Sequence, residues 1–237
     1  MRLARISIVV AFGIAGSLLA GITAAGPAAA HTLALYPTVY TLTVRNESKS
    51  PTDIAVYQTD PGFSAAATPL VWQDVPVKAN AETGLSWNSD YSLSWSNSAD
   101  LKPGAVYRPD QTLSVSAGAA RENAVELIDT HGDLGMHRVR PSEQADGALS
   151  LQALSTIPPG SASVALGMSG RPASVVKAEP DQTLRFTPHP TYWITAGTFT
   201  EGEVINPRNV ADPLRLHFGD TGAITVTFHQ GGHWTVS

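Results

Sequence analysis

TGLSWNSDYSLSWSN, residues 83–97, carries the pattern that decides the fold class. Leu85, Trp87, Tyr91, Leu93 and Trp95 share one parity, and Ser86, Asn88, Asp90, Ser92, Ser94 and Ser96 share the other. Successive side chains of an extended chain point to opposite faces, so this alternation describes strands with an apolar face and a polar face. If Asn88-Ser89-Asp90 forms a three-residue turn, the stretch is a hairpin whose two arms bury their apolar residues on one side.

The same alternation recurs outward in both directions. In Tyr40-Thr41-Leu42-Thr43-Val44-Arg45 the even positions are apolar and the odd ones polar. Comparable segments occupy 53–59, 70–77, 110–116, 122–129, 147–154, 162–168, 172–178, 182–187, 191–196, 213–218, 222–228 and 233–237. Turn-forming clusters separate them, among them Asp60-Pro61-Gly62, Lys102-Pro103-Gly104 and Pro158-Pro159-Gly160. No long window carries a 3.6-residue apolar stripe; 119–129, AARENAVELID, comes nearest and fits either a helical turn or a strand. Many short strands at this spacing predict an all-β antiparallel β-sandwich, with jelly-roll and Ig-like topologies both open. The polar stretch 138–147 reads as a surface loop within one domain. Pro-Asp-Gln-Thr-Leu occurs at 109–113 and again at 180–184, a turn device opening a strand rather than a duplication.

The first thirty residues have the form of a secretory signal. Arg2 and Arg5 precede an apolar run from Ile6 to about Leu19, and small residues lead to Ala28-Ala29-Ala30. The expectation is a leader over 1–30, a single domain over 31–237 and a secreted or cell-envelope location, with no transmembrane segment in the mature chain. Removing Arg2 and Arg5 takes the formal charge of −5 to −7. A chain this acidic is a poor replacement for the counterions of nucleic acid, so nucleic-acid binding is not expected. With 43% hydrophobic residues the chain can bury a core, and its complete lack of cysteine excludes disulfides and thiolate chemistry.

Cleavage after Ala30 would place His31 at the N-terminus, where its amine and ring, joined by a second histidine, can hold copper as a brace. A cut one or two residues away leaves only a frayed terminus. Phe228-His229-Gln230-Gly231-Gly232-His233-Trp234 reads as a hairpin with a Gln-Gly-Gly loop, Phe228 facing Trp234 and Val226 facing Val236. That register sets His229 opposite His233, about 5 Å apart at Cβ. Two ligands fall short of a zinc site, and the hairpin has no Asp or Glu. His217, on the preceding segment, should fall opposite Thr225. His131 and His137 in HGDLGMH fit a turn as well as a metal loop. Glu201 and Glu203 fit a solvated rim better than a glycosidase pair. Gly167-Met168-Ser169-Gly170 lacks the second glycine that a nucleophile elbow requires, and neither a P-loop nor H-E-x-x-H occurs.

Ligand contact is better sought among the aromatics. Trp87, Tyr91 and Trp95 share parity with leucines and belong to a core. Trp72 and the Tyr192-Trp193 pair are freer to be exposed, and in a strand one of the pair must face away from the other. His189 lies just before them, bracketed by Pro188 and Pro190 in an extended corner. The expected role is non-catalytic binding of an unidentified surface partner or a polysaccharide, with Trp72, His189, Tyr192 and Trp193 as candidate contacts. The alternatives are a copper-binding protein or oxidase built on His31, and a lectin-like or membrane-binding sandwich using Trp72 and Trp193.

Several longer motifs point to a family. YTLTVRNES (40–48), AVYQTDPG (55–62), SWNSDYSLSWS (86–96), LKPG (101–104), ALGMSG (165–170), TPHPTYWITAG (187–197), TEGEV (200–204) and the terminal HWTV (233–236) together resemble the RhiA-type family of bacterial, rhizosphere-expressed proteins. The resemblance implies no catalytic residue and no defined activity. It also implies a fold that starts near the YTLTV strand, which leaves His31 outside any shared site.

Overall fold

The structure, a computed structural model, describes residues 39–119, 121–139 and 147–237. The expected leader at 1–30, His31 and residues 140–146 of the expected loop lie outside the described residues. From the N-terminal side the strands are β1 (Val39–Asn46), β2 (Thr52–Thr59), β3 (Thr68–Pro69), β4 (Val71–Val77), β5 (Ala81–Asn88), β6 (Tyr91–Ser96), β7 (Gln111–Val115), β8 (Ala124–Thr130) and β9 (Asp133–Arg138). There follow β10 (Leu149–Ala153), β11 (Ser163–Met168), β12 (Arg171–Lys177), β13 (Thr183–Phe186), β14 (Thr191–Ala196), β15 (Leu214–Leu216), β16 (Ala223–Phe228) and β17 (Trp234–Val236). No helix occurs among the described residues, and the chain is all-β. The undecided stretch 119–129 is a strand from Ala124 onward.

Four small sheets result, with orders β17-β16-β1-β5, β15-β14-β2-β4, β3-β12-β11-β6-β7 and β13-β10-β8-β9. Pairing is mostly antiparallel; β1 with β16 and β10 with β8 are parallel. Alternation translates directly into burial in β1, where Tyr40, Leu42 and Val44 are buried and Val39, Thr41 and Arg45 are exposed. Their apolar face meets Ile54, Val56, Trp72, Tyr192 and Ile194 from the second of these sheets in one core. A second core joins Leu93, Trp95, Val164 and Val176 to Val125, Leu127, Leu149 and Leu151.

The expected hairpin at 83–97 does not form. β5 pairs with β1, whereas β6 lies between β11 and β7 in a different sheet. Asn88-Ser89-Asp90 is therefore a corner between sheets. It is held from a distance: Ser169 Oγ accepts from Asn88 N at 2.9 Å and lies 2.9 Å from Asn88 O and 2.7 Å from Asn88 Oδ1. Ser169 N also donates to Asp90 O at 2.8 Å. The shared parity survives, but Trp87 serves one core while Leu93 and Trp95 serve the other. The serine face of β6 is buried too, because Tyr107 covers it and its hydroxyl meets Ser94 Oγ at 3.0 Å.

Two turns explain motifs that looked chemical. Ser169-Gly170 (φ +51° and +77°) and His131-Gly132 (φ +59° and +94°) link β11 to β12 and β8 to β9. Two positive φ values in succession are what a tight type I′ hairpin demands, and glycine meets that demand at least cost. HGDLGMH is thus a hairpin turn running into β9.

Candidate functional site

β2 ends at Thr59, which pairs with Thr191 at the start of β14. The chain leaving β2, Asp60-Pro61-Gly62-Phe63, and the chain entering β14, Thr187-Pro188-His189-Pro190, consequently meet. Pro188 and Pro190 have no N–H, so His189 supplies the amide donor of that corner. It donates to Asp60 Oδ2 at 2.8 Å, while Gly62 N donates to Asp60 Oδ1 at 3.0 Å and Phe63 N to Asp60 O at 3.1 Å. Asp60 is only 6% exposed, and with both oxygens accepting loop amides its carboxylate is a buried clasp between two loops. Phe63 anchors the turn by an edge-to-face contact with Phe186, ring centres 4.9 Å apart.

Beside this clasp lies a cleft of about 410 Å³, within the range of small-ligand pockets. Pro61, Pro69, Pro207, Ala65 and Ala67 form its apolar walls. Thr59, Ser64 and Ser174 are its hydroxyl-bearing residues, and Asp60 is the single charged residue of the lining. Ser174 is 3% exposed, and its hydroxyl has no hydrogen-bond partner among the described residues. Thr59 Oγ1 accepts from Trp193 Nε1 at 3.0 Å, coupling the cleft to an indole. Trp193 in turn stacks on Tyr57 at 6.2 Å and 9°. Burial pushes the Tyr57 phenol up to about 12, so it is neutral at physiological pH.

Of the residues expected to touch a ligand, His189 gives its amide to this clasp and Trp193 reaches it through Thr59, and neither is among the residues lining the cleft. The paired rings divide as the alternation requires: Tyr192 is buried in the core and Trp193 is half-buried on the opposite face. The expectation for Trp72 is corrected. It is fully buried, donates Nε1 to Met168 O at 3.0 Å and packs edge-on to Trp87, so it offers no ring to a ligand. It sits where β4 shifts register against β2, between Val71 opposite Tyr57 and Gln73 opposite Val56. Sequence reading missed Asp60 and Ser174; Asp-Pro-Gly looked like an ordinary turn, and Ser174 acquires meaning only through the cleft.

At the C-terminus the expected register holds: Val226 faces Val236 and Phe228 faces Trp234. The His229 and His233 rings stack 4.8 Å apart at 19°. β16 lies parallel to β1, which brings in Glu47, 3.1 Å from His229 Nδ1, while Nε2 meets Thr235 Oγ1 at 2.7 Å. The expectation for His217 fails, since β15 pairs with β14 and Thr225 faces Thr43 of β1. Among the described residues, no group of three or more His, Asp or Glu is arranged to hold a metal ion. Glu201 and Glu203 are not a pair: Glu201 binds Arg171 at 3.0 Å, and Glu203 accepts from Thr200 N at 3.0 Å. Both still act on Asp74, whose carboxyl is held above the usual range by burial first and then by Asp53, Glu201 and Glu203.

The profile of the family described as RhiA matches residues 37–237. The curated protein "Protein RhiA" of Rhizobium leguminosarum bv. viciae is 29% identical over 184 residues, covering 76% of this chain and 78% of the relative. No solved structure matches the chain.

Proposed function

This chain belongs to the RhiA family, and from that premise we propose that it is an exported, non-catalytic binding protein. Its four sheets pair face to face as a β-sandwich scaffold, and the cleft between the Asp60 turn and β12 receives the ligand. The observation that carries this reading is the state of Asp60. Its two oxygens already accept amide hydrogen bonds that fix the loops, so the carboxylate shapes a pocket and is not poised to shuttle protons. The unpartnered Ser174 hydroxyl and the proline walls supply what a small ligand needs, one directional contact against preformed apolar surface.

Fragment titration of ¹⁵N-labelled protein tests it. Binding in the cleft should move the Gly62 and His189 amides and the Trp193 indole N–H together, and Ala65→Trp, at an exposed position of the wall, should abolish the effect. Fragments that shift only other residues, or that bind Ala65→Trp equally well, would remove the cleft from consideration. Intact mass of the protein recovered outside the cytoplasm checks export. Protein retained inside with its leader uncut contradicts that part, and a mature start other than His31 removes the copper brace.

A further inference from the structure

We propose that the ligand of the Asp60 cleft is an organic ammonium ion, held by its charge against Asp60 and by its N–H groups against hydroxyl oxygens of the pocket. This rests on the binding role just proposed and names its chemistry. Around the cleft five backbone donors are already occupied: Gly62 N and His189 N by the Asp60 carboxylate, Phe63 N by Asp60 O, Ala66 N by Ser64 Oγ and Ala67 N by Ser64 O, which leaves the amides of Ser64 and Ala65. The three wall prolines have no N–H to give. No Lys or Arg lines the cleft, and no cationic side chain pairs with Asp60 among the described residues.

Set against these few donors are ample acceptor capacity and negative charge. Each carboxylate oxygen can accept more than one hydrogen bond, and the hydroxyls of Thr59 and Ser174 can accept as well. A buried carboxylate with no cation beside it favours a positive guest, and charge-assisted hydrogen bonds are the stronger class. The field of Asp60 reaches inward too, since it contributes to the raised pKa of Tyr91 and Tyr192. An anion would find no positive charge here, and the hydroxyls and the Ser64 and Ala65 amides it could use stand beside the negative charge of Asp60. A neutral molecule would leave the carboxylate without its counter-charge. The proline and alanine walls suit a short alkyl body attached to the ammonium.

Three probes of matched size, butylammonium, butanol and butyrate, and a larger one, lysine blocked as its acetyl methylamide, separate the possibilities in ¹⁵N titrations of the full protein at low salt. Saturable butylammonium shifts at Gly62, His189 and the Trp193 indole are expected, with butanol about tenfold weaker and butyrate silent. Salt near 0.3 M should weaken the ammonium and not the alcohol, less strongly than for an exposed pair. Blocked lysine binding as well as butylammonium would mean that the ammonium can come from a peptide side chain; its failure would assign the site to free amines. Asp60→Asn should abolish the preference for the cation. Should that variant not fold, Ala65→Trp tests the same site from its rim. Butanol or butyrate entering the cleft as tightly as butylammonium would overturn the cation assignment and leave the binding role standing. Shifts at none of the three reporters with any fragment would sink both.

Discussion

Ser169→Ala is the sharpest test of the corner between β5 and β6. In a local hairpin at 83–97, a residue some eighty positions downstream would be irrelevant. In this fold Ser169 Oγ accepts from Asn88 N and donates to Asn88 O or Oδ1, one proton serving one acceptor at a time. Alanine removes two hydrogen bonds at about 1 kcal/mol net each, so the expected loss is about 2 kcal/mol. For a domain of this size that lowers the melting temperature by roughly 4–8 °C. Ser169→Gly loses the same bonds but relieves a side chain held at φ +51°, worth about 1 kcal/mol, so glycine should fall between wild type and alanine. Asn88→Ala combined with Ser169→Ala should cost less than the sum of the two, because they share one interaction. Urea titrations followed by tryptophan fluorescence give all four numbers. A Ser169→Ala loss below about 0.5 kcal/mol, the scale of an uninvolved surface site, would refute the bridging role; so would a glycine variant weaker than the alanine one.

Three further outcomes follow from the interior. Trp72→Ala should cost about 3–5 kcal/mol and Trp72→Phe clearly less, both exceeding Trp193→Phe, in the same urea assay; equal losses at the two tryptophans would contradict the burial of Trp72. Tyr57 and Tyr91 have phenols raised by burial from 10.0 to about 12. The folded state therefore holds their protons more tightly than the unfolded chain. Their contribution is complete below pH 10 and is lost as pH rises toward 12, so urea midpoints should fall across that window while folded-state tyrosinate absorbance lags. Asp74 has a raised carboxyl pKa and an Oδ1 with no partner. Its contribution favours folding below the ordinary carboxylate range and is lost as pH rises through the folded value. Asp74→Asn should consequently stabilise the protein by roughly 0.5 kcal/mol near neutral pH, the scale of a part-exposed charge interaction, and the gain should vanish in acid.

Features that depend on neighbours along the chain were legible. Alternation at Tyr40–Arg45 assigned the buried face, and at 191–196 it required the Tyr192 and Trp193 rings to part, because period two is a property of the extended backbone itself. The C-terminal register was legible for a related reason: a short glycine loop leaves the flanking residues little choice of partner. HGDLGMH and ALGMSG were harder, since a tight turn and a metal or nucleophile motif both favour glycine beside a polar residue. Trp72 misled because its surroundings in LVWQDVPV suggest a strand with one wet face, whereas the register shift against β2 carries it into the core.

By itself the sequence determined that the chain is all-β, where most of its strands fall (β9 is an exception), and which family it belongs to, for these are written in local period and in contiguous motifs. Beyond the C-terminal hairpin, which strands share a sheet was decided only by tertiary structure. Parity is identical whether Leu85 and Leu93 face one another or serve two separate cores, and pairing energy depends on partners far away in the chain. The candidate cleft belongs to that second kind of information. Thr59 and Asp60, Ser174, and the amide of His189 come from three distant segments, and a turn carboxylate becomes a clasp only when folding brings another loop's amide to it.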